Sequence, residues 1–133
     1  MIGLDTNIII RYLTQDDEKQ AKIATQIIEN ELNIKNQGFI SLIVLVEVVW
    51  VLMRCYDQTK SDLYPVINQL LTTKQFQVEK LDYAFIALRK WQQGKGDFSD
   101  ALIATIAQKE NCSYTLTFDK KAVSFGMKLA TLP

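Results

Sequence analysis

The chain has 133 residues, 48% of them hydrophobic and 23% charged, with 15 Lys and Arg balancing 15 Asp and Glu. Such a composition fits one globular domain and excludes disorder, tandem domains and capture of a polyanion through bulk positive charge. Histidine is absent, which removes Ser-His-Asp and Cys-His catalysis, imidazole zinc sites and the usual general base together.

Cys55 and Cys112 are too few for a disulfide framework or a four-thiolate metal site, and they fit a reducing, cytoplasmic compartment. Met1 runs into Ile2-Gly3-Leu4-Asp5 without a basic leader or apolar h-region, so no signal peptide is expected. The apolar region 39–53, interrupted by Ser41 and Glu47, is too short to span a bilayer and reads as a buried strand followed by a buried helix.

In chain order, a first strand over 1–4 ends on Asp5-Thr6-Asn7, and 8–13 continues as a buried helical segment. Thr14 with Asp17 resembles a capping box, and Ala21, Ala24, Ile27 and Ile28 then recur at helical spacing to about Leu32. A strand at 39–40 leads to Ser41 as a cap and to a helix over 42–54 that is apolar, hence buried, on nearly every face. Thr59 or Ser61 opens a helix through Leu71, with Pro65 placed in its first turn. A strand over 76–78 follows, then a helix from Asp82 to about Gln92 that Gly94-Lys95-Gly96 stops. Asp97 starts a helix to Lys109, 113–117 is a strand, 119–123 a helical turn and 128–132 a last edge strand. Strands alternating with helices predict an α/β fold with a central, mostly parallel sheet and helices on both faces.

Four carboxylates fit a plain core poorly. Asp5 and Asp119 each follow a strand, where open α/β sheets carry their reactive edge. Glu47 is the one charge between Phe39 and Met53, and a buried carboxylate needs a cation or donors. Asp97 is the natural cap of its helix, which leaves Asp100 in the first turn. Gathered at one sheet edge, Asp5, Glu47, Asp100 and Asp119 would repel one another unless a hard divalent cation, Mg²⁺ or Mn²⁺, sat between them. In a chain without histidine, such an ion is the expected source of hydroxide.

The ordered blocks Leu4-Asp5-Thr6-Asn7, Ile40-Ser41 through Val46-Glu47, Asp97-Phe98-Ser99-Asp100-Ala101-Leu102-Ile103-Ala104 and Thr117-Phe118-Asp119-Lys120 resemble the PIN-domain family. Within it the chain is similar to the VapC toxins of type II toxin–antitoxin systems. The resemblance covers essentially the whole chain and implies a single PIN domain over 1–133, a three-layer α/β/α sandwich. It further implies a Mg²⁺- or Mn²⁺-dependent endoribonuclease that cuts structured RNAs such as tRNA, forms a homodimer and is inhibited by a cognate antitoxin. By position, Asp5, Glu47, Asp100 and Asp119 match the family's acidic set, and Asp97 an additional acidic position. Asn7 and Thr117, with Thr6 beside them, match the polar residues that position ligands.

The expected chemistry is hydrolysis of an RNA phosphodiester by water, leaving a 5′-phosphate and a 3′-hydroxyl, since no imidazole is present to activate the 2′-hydroxyl. Arg11, Lys95, Lys120 and Lys121 are the nearest candidates for a thin basic rim; Phe98 and Tyr12 are candidate base-stacking groups better explained as core. A receiver domain would want an acidic pair just after the first strand, and a haloacid-dehalogenase-type phosphatase an Asp-x-Asp where Asp5-Thr6-Asn7 stands. The non-enzymatic rival is a silent PIN domain that serves as a protein-interaction module.

Overall fold

The computed structural model describes residues 1–132 and resolves two compact units, one over 1–81 and one from residue 82 onward. In the first unit, β1 (Ile2–Gly3), β2 (Gly38–Ile40) and β3 (Phe76–Val78) form a parallel sheet in the order β1-β2-β3. Ile2 stands opposite Gly38, and Gly38 opposite Phe76. The ladder is lengthened by the Leu4 N–H donating to the Phe39 carbonyl and the Glu79 N–H to the Ile40 carbonyl, both at 2.9 Å. Because all three strands run the same way, Asp5, Ser41 and Glu79 come out at one edge.

Glycine is required at the centre of this sheet by packing. A Cβ on Gly38 would stand 2.6 Å from Leu4 Cδ1 and 2.8 Å from Leu32 Cδ1. The space glycine leaves lets buried Leu4 settle beside β2, which fixes the chain one residue before Asp5.

The helices of this unit are α1 (Thr6–Thr14), α2 (Glu18–Gln26), α3 (Leu42–Cys55) and α4 (Lys60–Thr72), with a π-turn over Ile27–Glu31 closing α2. Asp17, and not Thr14, caps α2, accepting from the Gln20 N–H at 3.0 Å. Thr14 instead ends α1, its hydroxyl turned back to the Ile10 carbonyl at 2.8 Å. Ser41 caps α3, as expected, accepting from the Val44 N–H at 3.2 Å. Thr59 and Asp62 close a reciprocal capping box on α4. Pro65 lies inside α4, beyond the first turn foreseen for it, where it leaves the Ser61 carbonyl without its helical donor. Ile9, Ile10, Leu45, Val48, Leu52, Leu63 and Ile67 are buried essentially completely.

One expectation for α3 fails. Leu45, Val48, Val49 and Leu52 are buried, but Ile43 is 73% exposed and Trp50 57% exposed, and Glu47 and Arg54 share their exposed face. A helix without a polar stripe is not therefore a helix buried all round.

In the second unit, α5 (Leu81–Gln93, entering from its first residue) and α6 (Phe98–Lys109) flank the Gly94-Lys95-Gly96 turn. A parallel pair, β4 (Leu116–Thr117) with β5 (Lys128–Leu129), is joined by a 3₁₀ segment over Lys120–Phe125. Both strands are shorter than their sequence patterns suggest, and Tyr114, just before β4, lies exposed with Lys128 Nζ 4.9 Å from its ring centroid. Trp91 and Phe98 meet edge to face at 5.5 Å in the core, which settles Phe98 as a packing residue. The strands thus make two parallel ladders, and the α/β class holds in each.

The glycine turn has a purpose beyond stopping α5. A Cβ on Gly96 would stand 2.5 Å from the Phe125 ring, and one on Gly94 would meet the same ring. Lys95 N–H donates to Ser124 Oγ at 2.9 Å. Turn and 3₁₀ segment are thereby locked together, which holds the start of α6 against the segment that Asp119 caps.

Candidate functional site

Asp5 follows β1 and caps α1: its Oδ1 accepts from the Thr6 N–H at 2.8 Å. The Thr6 hydroxyl donates to Glu47 Oε1 at 2.9 Å, across 41 positions of sequence. Thr6 is buried, so this one residue holds two carboxylates, one by its backbone and one by its side chain. Among the described residues Glu47 Oε2 has no hydrogen-bond partner of its own. Glu47 itself is exposed, contrary to the buried carboxylate expected from its apolar neighbours. It stands on the open face of α3 and is oriented by a hydroxyl rather than strained by desolvation. Asn7 lies exposed in the first turn of α1. Glu79, which sequence reading did not single out, stands at the same sheet edge, where its Oε1 accepts from the Leu42 N–H at 2.9 Å. Its signal, an acid directly after a strand, is the one that drew attention to Asp5.

In the second unit Asp97 caps α6, and its N–H donates to Asp100 Oδ2 over a long 3.4 Å. Burial pushes the Asp100 carboxyl above its ordinary value, and the charges of Asp97 and Asp119 push it further, against a lowering hydrogen bond from Asp97. Asp119 follows β4 and caps the 3₁₀ segment, accepting from the Lys121 N–H at 2.9 Å. Thr117 Oγ1 accepts from the Asp119 N–H at 3.0 Å, so Thr117 acts on the position of Asp119. Asp100 therefore stands under the negative charge of both neighbours.

The acids fall into two groups, Asp5 with Glu47 through Thr6, and Asp100 with Asp97 and Asp119 through their charges. Among the described residues no three Asp, Glu, His or Cys side chains are gathered closely enough to cage an ion. Their chemistry nevertheless fits a hard cation. The donors are all oxygen, and Mg²⁺ characteristically keeps several waters and takes one or two carboxylates, with substrate phosphate completing its shell. The crowding of negative charge around Asp100 is what such an ion relieves.

Of the basic candidates, Lys95, Lys120 and Lys121 are exposed. Arg11 is committed within the protein: Nε donates to Gln20 Oε1 at 2.8 Å and Nη1 stands 3.4 Å from Asp16 and 3.3 Å from the Tyr56 hydroxyl. A hollow of about 870 Å³ runs along α2 beside Ala21, Ile23 and Ile27 and is lined by none of the site acids. Among the described residues, no helix is long and apolar enough to cross a membrane.

The sequence aligns with the VapC ribonuclease of Aquifex aeolicus (strain VF5), 28% identical over 126 residues, covering 94% of this chain and 92% of that protein. The PIN domain family matches residues 2–126, across both units. With that span, the chain belongs to the PIN domain family.

Proposed function

We propose that this PIN domain is a VapC-like endoribonuclease that hydrolyses RNA phosphodiesters with Mg²⁺ or Mn²⁺, and that residues 1–133 act as one functional domain. The family match over residues 2–126 carries the reading, supported by the likeness to a VapC ribonuclease. Asp5, Asp100 and Asp119 would hold the ion, with Asp97 adding charge beside Asp100. A divalent ion held there supplies Lewis acidity, lowers the pKa of water and offsets charge on the phosphate.

The chain's own groups do the rest. Thr6 holds Glu47 by Oε1, which leaves Oε2 to take the proton of an attacking water. The water oxygen bonds to phosphorus, the P–O3′ bond breaks, and the leaving 3′-oxygen takes a proton from solvent. In a chain with no histidine the 2′-hydroxyl has no imidazole to activate it, so the products are a 5′-phosphate and a 3′-hydroxyl. Thr117 keeps Asp119 in place, and Asn7, exposed in the first turn of α1, orients ligand. Lys95, Lys120 and Lys121 form the rim that meets RNA; Arg11, tied to Asp16, Gln20 and Tyr56, serves α1 and α2 instead.

By the same resemblance, the substrate is a structured RNA such as tRNA, the protein works in the cytoplasm as a homodimer, and a cognate antitoxin restrains it. The test is incubation of purified protein with total RNA and Mn²⁺, with and without EDTA, beside Asp5→Asn. Cleavage by the native chain alone, abolished by EDTA, is the expected result. Intact RNA in every lane, from folded protein and several RNA pools, would favour the silent interaction module.

A further inference from the structure

The open face of α3 carries Ile43, Glu47, Trp50 and Arg54 at helical spacing. Trp50 is 57% exposed, an unusual state for the residue type with the most apolar surface to hide. The Arg54 guanidinium lies 5.4 Å from the Trp50 ring centroid. Among the described residues no carboxylate pairs with Arg54. An indole kept in place by a cation, with that cation left unneutralised, stands one turn from Glu47.

From this juxtaposition we infer that Trp50 is a stacking platform for an unpaired base of the RNA, and that Arg54 holds an adjoining phosphate. The inference rests on the ribonuclease reading and names how the substrate is gripped. Aromatic rings bind bases of any sequence through their faces, and an arginine beside the ring adds charge where the backbone passes. Charge decides between an RNA strand and a protein partner on this face. An apolar partner would have to strip water from Glu47 and Arg54 together, whereas a nucleotide matches the pair, with its phosphate toward Arg54 and its base on the indole. In a chain of zero net charge such a local grip is needed, since bulk attraction is lacking.

The protein carries its own probe. It has two tryptophans, and Trp91 is buried in the core. Titration of the intact protein with an unstructured 12-nucleotide RNA, in EDTA and separately in Ca²⁺, should quench the emission of Trp50. Trp50→Ala, retaining only Trp91, should show no quenching and a KM for RNA cleavage raised roughly tenfold, with a smaller change in kcat. Trp50→Phe should restore most of that KM. Arg54→Gln should lower the slope of log affinity against log salt by about 0.7, the loss of one phosphate contact on a single strand. Absence of quenching in both media, or an unchanged KM in Trp50→Ala, overturns the inference while cleavage by the native protein leaves the nuclease reading standing. Quenching without any cleavage does the reverse. Unchanged RNA kinetics with a shift from dimer to monomer on sedimentation would assign this face to a protein interface and overturn the inference as well.

Discussion

The two acidic groups are held by different physics. Asp5 and Glu47 share a buried threonine that donates to both, so their positions are set before any ligand arrives. Asp97, Asp100 and Asp119 are placed by helix starts, and the Asp100 carboxyl holds its proton more tightly for the burial and like charge around it. A hydroxyl clamp preorganises; a crowd of like charges creates demand for a cation. The proposed hydrolysis needs both, an oriented base and a region of unmet negative charge.

The sharpest way to break this contrast is to remove the base proposed at Glu47. Glu47→Gln keeps an oxygen for Thr6 but cannot take a proton, and single-turnover cleavage should slow by about 10²- to 10⁴-fold with the fold intact by circular dichroism. Next in size is the frame of the second group. Gly96→Ala drives a methyl into the Phe125 ring, and urea denaturation should show a loss of about 1–3 kcal/mol. Cleavage should weaken with it, because the same contact seats α6 against the Asp119 segment.

Thr6→Val tests the clamp itself. The backbone donor to Asp5 survives and the hydroxyl to Glu47 is lost, so kcat should fall about tenfold, with Thr6→Ser recovering it. An unchanged kcat would mean that Glu47 needs no orientation. The smallest effect on stability belongs to Asp100. Its raised proton affinity means the folded chain binds the proton more tightly than the unfolded one, so stability falls as pH rises out of the ordinary carboxylate range. Asp100→Asn should therefore stabilise metal-free protein at neutral pH by about 0.5 kcal/mol, screened as it is by solvent, and the difference should vanish near pH 3. Thermal melts across that range would check the sign.

Local chemistry was legible in the sequence because caps and turns act over a few residues. Asp5, Ser41, Thr59, Asp97 and Asp119 all stand where their side chains suggest, each before a helical segment. The family blocks were legible for the same reason, since each sits at a strand end or helix start. Long-range facts were not. The bond from Thr6 to Glu47 spans 41 positions, and nothing near either residue announces it. The exposure of Glu47 was hidden because Ile43 and Trp50 are apolar at solvent-facing positions, which erases the polar stripe that would have marked the open face of α3. Gly94 and Gly96 read as a helix stop, whereas their larger role depends on a ring that arrives from Phe125.

The most direct trial of the account is the chemistry of the cut ends. RNA cleaved by the native protein in Mn²⁺ should carry 5′-phosphate and 3′-hydroxyl termini, and no new ends should form with EDTA or with Asp100→Asn. Termini bearing a 2′,3′-cyclic phosphate, or cutting that persists in EDTA, would contradict hydrolysis by water at these carboxylates.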